Sequence, residues 1–129
     1  MSAGAATLPF EALARAVLDA CGKRGIMLAT AESCTGGMIA AALTDIPGSS
    51  AVVDRGFVTY SNEAKMEMIG VSAATLEVHG AVSRETALEM AAGALTHSRA
   101  GMALAVTGIA GPDGGTSDKP IGLVWFGLA

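Results

Sequence analysis

Apolar positions along the chain follow two periods, and the switches between them divide it into helices and strands. Phe10, Leu13, Ala14, Val17 and Leu18 recur at helical spacing after Pro9, which suits a first turn. Lys23, Arg24 and Gly25 predict the end of that helix. Ile26–Ala31 is a short, mostly apolar run between turn signals and reads as a buried strand. Glu32–Gly37 follows as a turn and Met38–Leu43 as an alanine-rich helix, which Pro47-Gly48-Ser49-Ser50 stops. Ala51–Tyr60 is β-like, with Asp54, Arg55 and Gly56 marking a bulge. Ser61-Asn62 caps a helix through about Ile69, and Ser72 opens a helical turn through Val78 that Gly80 closes. Ser83 caps the strongest helix, Arg84–Ser98, with Leu88, Ala91, Ala92 and Leu95 as its apolar stripe and Arg84, Glu85 and Glu89 facing outward. Met102–Thr107 is a buried strand and Gly108–Lys119 a long glycine-rich loop. Pro120 starts a last strand, Ile121–Leu128. This alternation predicts an α/β fold, a three-layer sandwich with helices on both faces of one sheet.

Composition sharpens that picture. A chain of 129 residues suits one domain, read as 9–129 behind a flexible lead-in at 1–8. At 51% hydrophobic and 16% charged residues it is no disordered chain. Its longest strictly apolar run, Met38–Leu43, falls far short of the ~20 residues a bilayer needs. Alanine and glycine supply 26 and 17 residues, and such small side chains let helices and strands approach closely. A net charge of −4, scattered bases and few aromatics argue against nucleic-acid binding. Cys21 and Cys34 make neither a disulfide framework nor a zinc site, and His79 and His97 lack a second ligand at metal spacing. Cys21 reads as a small apolar residue of its helix. Met1–Leu8 has no signal-peptide pattern, so a cytoplasmic protein without membrane contact is expected.

Three loops carry the chemistry, each beginning where a predicted strand ends, and ligand crevices in open α/β sheets lie at those ends. In Ala31-Glu32-Ser33-Cys34-Thr35-Gly36-Gly37 a strand runs through a small-residue turn into a helix. Backbone N–H groups there can form an oxyanion hole or a phosphate cradle, with Ser33 or Cys34 as nucleophile. The plainer alternative makes Ser33 or Thr35 a helix cap. In Thr59-Tyr60-Ser61-Asn62-Glu63-Ala64-Lys65 the helix field lowers the pKa of Lys65 and suits it to general-base work. The alternative is a solvated lysine held by Glu63 or Glu67. Tyr60 either relays a proton or is a core residue with a wet tip. In Thr107-Gly108-Ile109-Ala110-Gly111-Pro112-Asp113-Gly114-Gly115 four glycines in eight residues allow close backbone approach to a ligand, although a plain loop would read the same way.

Taken together with Gly56-Phe57-Val58 and Gly80-Ala81-Val82-Ser83, these ordered motifs resemble the C-terminal domain of the CinA (competence/damage-inducible) family, from about Phe10 to Ala129. The resemblance implies an α/β/α sandwich with a mixed, mostly parallel sheet. It also implies a nicotinamide-nucleotide amidase that converts nicotinamide mononucleotide to nicotinate mononucleotide and ammonia in pyridine-nucleotide salvage. Residue by residue, Ser33 matches the nucleophile, Lys65 the base and Tyr60 a helper. Cys34, Thr35, Gly36, Gly37, Thr107, Gly108, Gly111, Gly114 and Gly115 then surround the substrate and its phosphate. The expected partner is a small nucleotide, with homo-oligomers allowed and no metal or organic cofactor. By the same resemblance the chain corresponds to the stand-alone form, and the family continues past this point into a Gly-Asp-Arg segment and a closing helix. The rival reading is a non-catalytic phosphate- or nucleotide-binding regulatory module, which needs only the glycine loop and the helix N-terminus. A hydrolase acting through the Cys34 thiol is a third.

Overall fold

The computed structural model describes residues 10–129. The lead-in and Pro9 lie outside the described residues. Helix α1 (Glu11–Arg24) ends at Gly25, whose left-handed φ of 65° closes the last turn. Then follow β1 (Leu28–Glu32), α2 (Met38–Thr44), a 3₁₀ turn (Ser49–Ala51) and β2 (Val53–Val58). Three helices come next: α3 (Asn62–Ile69), α4 (Ala73–His79) and α5 (Arg84–Thr96). The chain ends in β3 (Met102–Gly108) and β4 (Val124–Leu128). Every predicted element is present. The last strand is shorter than expected, because Ile121–Leu123 belongs to the turn that precedes it.

The four strands form one mixed sheet in the order β2-β1-β3-β4, with the first three parallel and β4 antiparallel on the edge of β3. Between β1 and β2 the register passes from Leu28–Val53 to Ala29–Arg55, so Asp54 is the extra residue of the expected bulge. Ala29, Ala31, Ala103 and Ala105 line one face, where Met90, Ala91 and Ala94 of α5 pack against them. The other face buries Leu28 and Val52 beneath Ala14, Leu18 and Cys21 of α1 and Leu43 of α2. Cys21 is thus the small core residue that the sequence suggests.

Two helices turn differently from expectation. The buried side of α5 is Thr86, Ala87, Met90, Ala91 and Ala94, while Leu88 is exposed. Small residues let the helix sit directly on an alanine-lined sheet, and that close approach outweighs the larger burial a leucine would bring. Glu89 is correspondingly half-buried and accepts from the Ser72 amide and the Thr75 hydroxyl. In α1, Phe10 and Leu13 are exposed, so its inner face begins at Ala14. No helix among the described residues is long and apolar enough to cross a membrane.

Candidate active site

Because β1, β2 and β3 run parallel, their C-terminal ends open at the same edge of the sheet. Ser33 follows β1, Tyr60 lies two residues past β2, and Gly108 ends β3. The three chemically marked loops therefore meet around one cavity of about 310 Å³.

At its floor the Lys65 Nζ lies 2.9 Å from Ser33 Oγ. Local structure explains how lysine and serine meet. Ser61 caps α3 by accepting from the Ala64 amide at 3.0 Å, which fixes the start of the helix and places Lys65 one turn inside it. From there the side chain folds back towards the segment that precedes the cap. Its Nζ donates to the Thr59 carbonyl at 2.9 Å and the Tyr60 carbonyl at 3.2 Å. Lys65 is 1% exposed and makes no ion pair among the described residues, so neither Glu63 nor Glu67 holds it. Burial lowers its pKa from 10.5, against a smaller opposing pull from Cys34. The cause is desolvation by the surrounding protein, where the sequence pointed first to the helix field.

This arrangement suits proton transfer. With its amine neutral, Lys65 has two N–H bonds to give, and two carbonyls to receive them. The nitrogen lone pair is then left for the third neighbour, the Ser33 hydroxyl. Ser33 is itself buried, its amide tied to the Val106 carbonyl at 3.0 Å. The amides of the next two residues, Cys34 and Thr35, meet no protein acceptor among the described residues.

Other predicted site residues divide into two groups. Cys34, Tyr60, Thr107, Gly108, Gly111 and Gly114 line the cavity with Ser33 and Lys65, whereas Thr35, Gly36, Gly37 and Gly115 are not part of its lining. The Gly36 amide is spent inside the turn on the Ser33 carbonyl, and Thr35 gives its hydroxyl to Glu32. Gly36 and Gly37 instead serve the turn's path, at φ 60° and 107°. Gly115 has no room for a side chain, since a Cβ would lie 2.8 Å from Ile121. Gly111 meets Ile121 in the same way at 2.7 Å, so its smallness serves the loop's own packing as well as any ligand. Tyr60 is 72% exposed at the rim, and it is its main-chain carbonyl that reaches the lysine. Thr107 donates its hydroxyl to the Ala81 carbonyl at 2.8 Å, joining β3 to the segment before α5.

One residue of the site escaped the sequence reading. Glu32 is the last residue of β1 rather than part of the turn, and it is buried. Its carboxylate accepts from the Thr35 hydroxyl and from the Ile39 and Ala40 amides at the start of α2. Neither Ser33 nor Thr35 caps that helix. Its N-cap is Gly37, which has no side chain to offer, and Glu32 meets the free amides from seven and eight residues upstream. The α2 N-terminus is consequently filled by the protein's own carboxylate and is no phosphate cradle. A carboxylate just before a serine in a glycine-rich turn was the available signal.

The sequence profile described as "CinA C-terminal domain" matches residues 10–129. The chain is 60% identical over 106 residues to the nicotinamide-nucleotide amidohydrolase PncC of Escherichia coli, covering 82% of this chain and 64% of that protein. It is 61% identical over 106 residues to the CinA-like protein of Chloroherpeton thalassium, covering 82% of this chain and 25% of that one. The chain thus spans less than two thirds of the curated relatives it matches here. Among solved structures, the competence/damage inducible protein CihA from Agrobacterium tumefaciens superposes with a TM-score of 0.93 at 58% identity, over 97% of this chain and 76% of that one.

Proposed function

The chain belongs to the CinA C-terminal domain family, and on that footing we propose that it hydrolyses the carboxamide of nicotinamide mononucleotide to nicotinate mononucleotide and ammonia. The observation that carries this reading is the buried Lys65 Nζ, 2.9 Å from Ser33 Oγ and held by two carbonyls. The name of the E. coli relative supports the same reaction.

In this scheme neutral Lys65 takes the Ser33 proton as Oγ attacks the carboxamide carbon. The oxyanion that forms is met by the Cys34 amide, an effect of ~3–4 kcal/mol per donor in known cases. Protonated Lys65 then returns the proton to the leaving nitrogen, and ammonia departs. Water, deprotonated by the same amine, hydrolyses the acyl-enzyme and restores Ser33. Lys65 is the only basic side chain among the cavity's lining residues and is kept for proton transfer, so the substrate phosphate falls to backbone N–H groups of the glycine loop. On this reading the reaction serves pyridine-nucleotide salvage in the cytoplasm, and the scheme itself calls on no metal or organic cofactor.

The test is ammonia release from nicotinamide mononucleotide. Ser33→Ala should lower kcat by at least ~10³-fold while leaving nucleotide binding nearly intact, since the hydroxyl forms a bond only during reaction. Cys34→Ala should keep most of the activity. A dead cysteine variant beside an active Ser33→Ala would make the thiol the nucleophile.

A further inference from the structure

The strand that delivers Ser33 ends on a second ionisable group, one that the proton transfer does not use. Glu32 is 1% exposed, and its carboxylate is filled on both oxygens. Oε1 accepts from the Thr35 hydroxyl at 2.6 Å and the Ile39 amide at 2.9 Å, and Oε2 accepts from the Ala40 amide at 2.9 Å. All three partners donate. A carboxylate can accept at both positions, whereas a carboxamide of the same shape must turn an N–H₂ towards one of the donors.

The placement of these contacts matters as much as their number. Main-chain bonds hold the strand side of the turn, from the Thr59 amide to the Glu32 carbonyl at 2.9 Å and from the Ser33 amide to the Val106 carbonyl at 3.0 Å. On the far side the turn runs into α2 through two glycines, which do little to stiffen it. The Glu32 side chain spans that gap, tying the strand end to the middle of the turn at Thr35 and to the first turn of α2. Ser33, Cys34 and Thr35 lie inside the loop it closes.

Resting on the amidase reading above, we propose that Glu32 is the positioning residue of the turn. It holds the Ser33 hydroxyl on Lys65 and the Cys34 amide on the reacting carbonyl, and it acts through the turn without touching substrate. A purely structural carboxylate would change the amount of folded protein and leave turnover per folded molecule alone. A positioning carboxylate changes kcat, leaves KM nearly unmoved, and leaves the pH midpoint set by Lys65 where it was.

Glu32→Gln and Thr35→Val separate these outcomes in two assays, each normalised to the folded fraction by circular dichroism. One is ammonia release from nicotinamide mononucleotide across pH. The other is the rate at which a fluorophosphonate labels Ser33, which needs the reactive hydroxyl and its oxyanion donor but no nucleotide. Glu32→Gln should lose roughly 10²–10³-fold in kcat, as when an oxyanion donor is removed. Its KM should stay within about threefold and its pH midpoint should be unchanged. Labelling should slow by a similar factor. Thr35→Val leaves both amides on the carboxylate, and should lose about tenfold in both rates. Wild-type rates in folded Glu32→Gln, or a raised KM as the sole effect, overturn the proposal. Should Glu32→Gln fail to fold, Thr35→Val decides by the same two rates. If wild type labels but releases no ammonia, slower labelling in the variants upholds Glu32 and removes the amidase reading. A wild-type Ser33 that does not label overturns both.

Discussion

A buried amine works against its own charge, and the consequences for Lys65 are measurable. Its pKa is lowered from 10.5 by burial, so activity should rise with pH as the amine deprotonates, below the pH expected of a free lysine. Lys65→Arg keeps a charge that cannot be shed, and should be as inactive as Lys65→Met, each down by about 10²–10⁴-fold in kcat. Appreciable turnover in the arginine variant would remove the base assignment. Stability carries the same signature. Between the lowered folded value and 10.5 the unfolded chain binds more protons than the folded one, so stability rises with pH across that interval. Lys65→Met abolishes this dependence, and its melting temperature relative to wild type should fall as pH is raised from 7 towards 10. Ser33 and Lys65 were legible in the sequence because a serine in a strand-to-helix turn and a lysine just inside a serine-capped helix each imply a local environment. That they touch was not, being a matter of strand order. Glu32 was hidden for another reason, since its amide partners lie beyond the three-residue reach of a capping box.

At the scale of elements, caps were more legible than faces. Ser61, Ser72 and Ser83 each accept from the amide three residues on, as the sequence indicated, because capping is local chemistry. The face of α5 is less legible because leucine is the larger apolar side chain, while the sheet beneath is itself lined with alanine. Gly93 shows how close the packing is. A Cβ there would lie 1.8 Å from the Ile69 carbonyl oxygen at the end of α3. In an exposed helix, glycine to alanine gains about 1 kcal/mol. Here Gly93→Ala should instead destabilise, by roughly 1–3 kcal/mol as strain is shared with the neighbouring backbone. Ile69 lies one turn beyond Lys65 on the same helix, so the displaced α3 should also carry Nζ away from Ser33. Thermal melts and kcat measured on one sample check both effects. A variant with a raised melting temperature and full activity would mean that α3 and α5 pack less closely than described.

Over the whole molecule, the sheet is covered unevenly. Sequence alternation indicated helices on both faces but not how far each layer extends, because coverage depends on which helix crosses which strand. Helix α5 spans from β1 to β4 on one face, with Ala91 and Ala94 over the central alanines and the Ala87 carbonyl over Gly127. The opposite helices, α1 and α2, sit over β1 and its surroundings. On that side of β4, Phe126 and Leu128 stay 64% and 63% exposed. Two neighbouring residues of one strand therefore report opposite environments. At Gly127 a Cβ would lie 2.3 Å from the Ala87 carbonyl oxygen, helix backbone that cannot rotate aside, so Gly127→Ala should cost ~2–3 kcal/mol or unfold the protein. Phe126→Ala removes a side chain from a residue that is mostly exposed and should cost about 1 kcal/mol or less. Denaturant titrations of the two variants give both numbers. Equal losses would mean that β4 is gripped from both faces, and a larger loss at Phe126 would mean that its outer face is covered in solution. The predicted ordering follows because α5 packs on β4 through backbone contact, while the side chains of the other face remain largely in water.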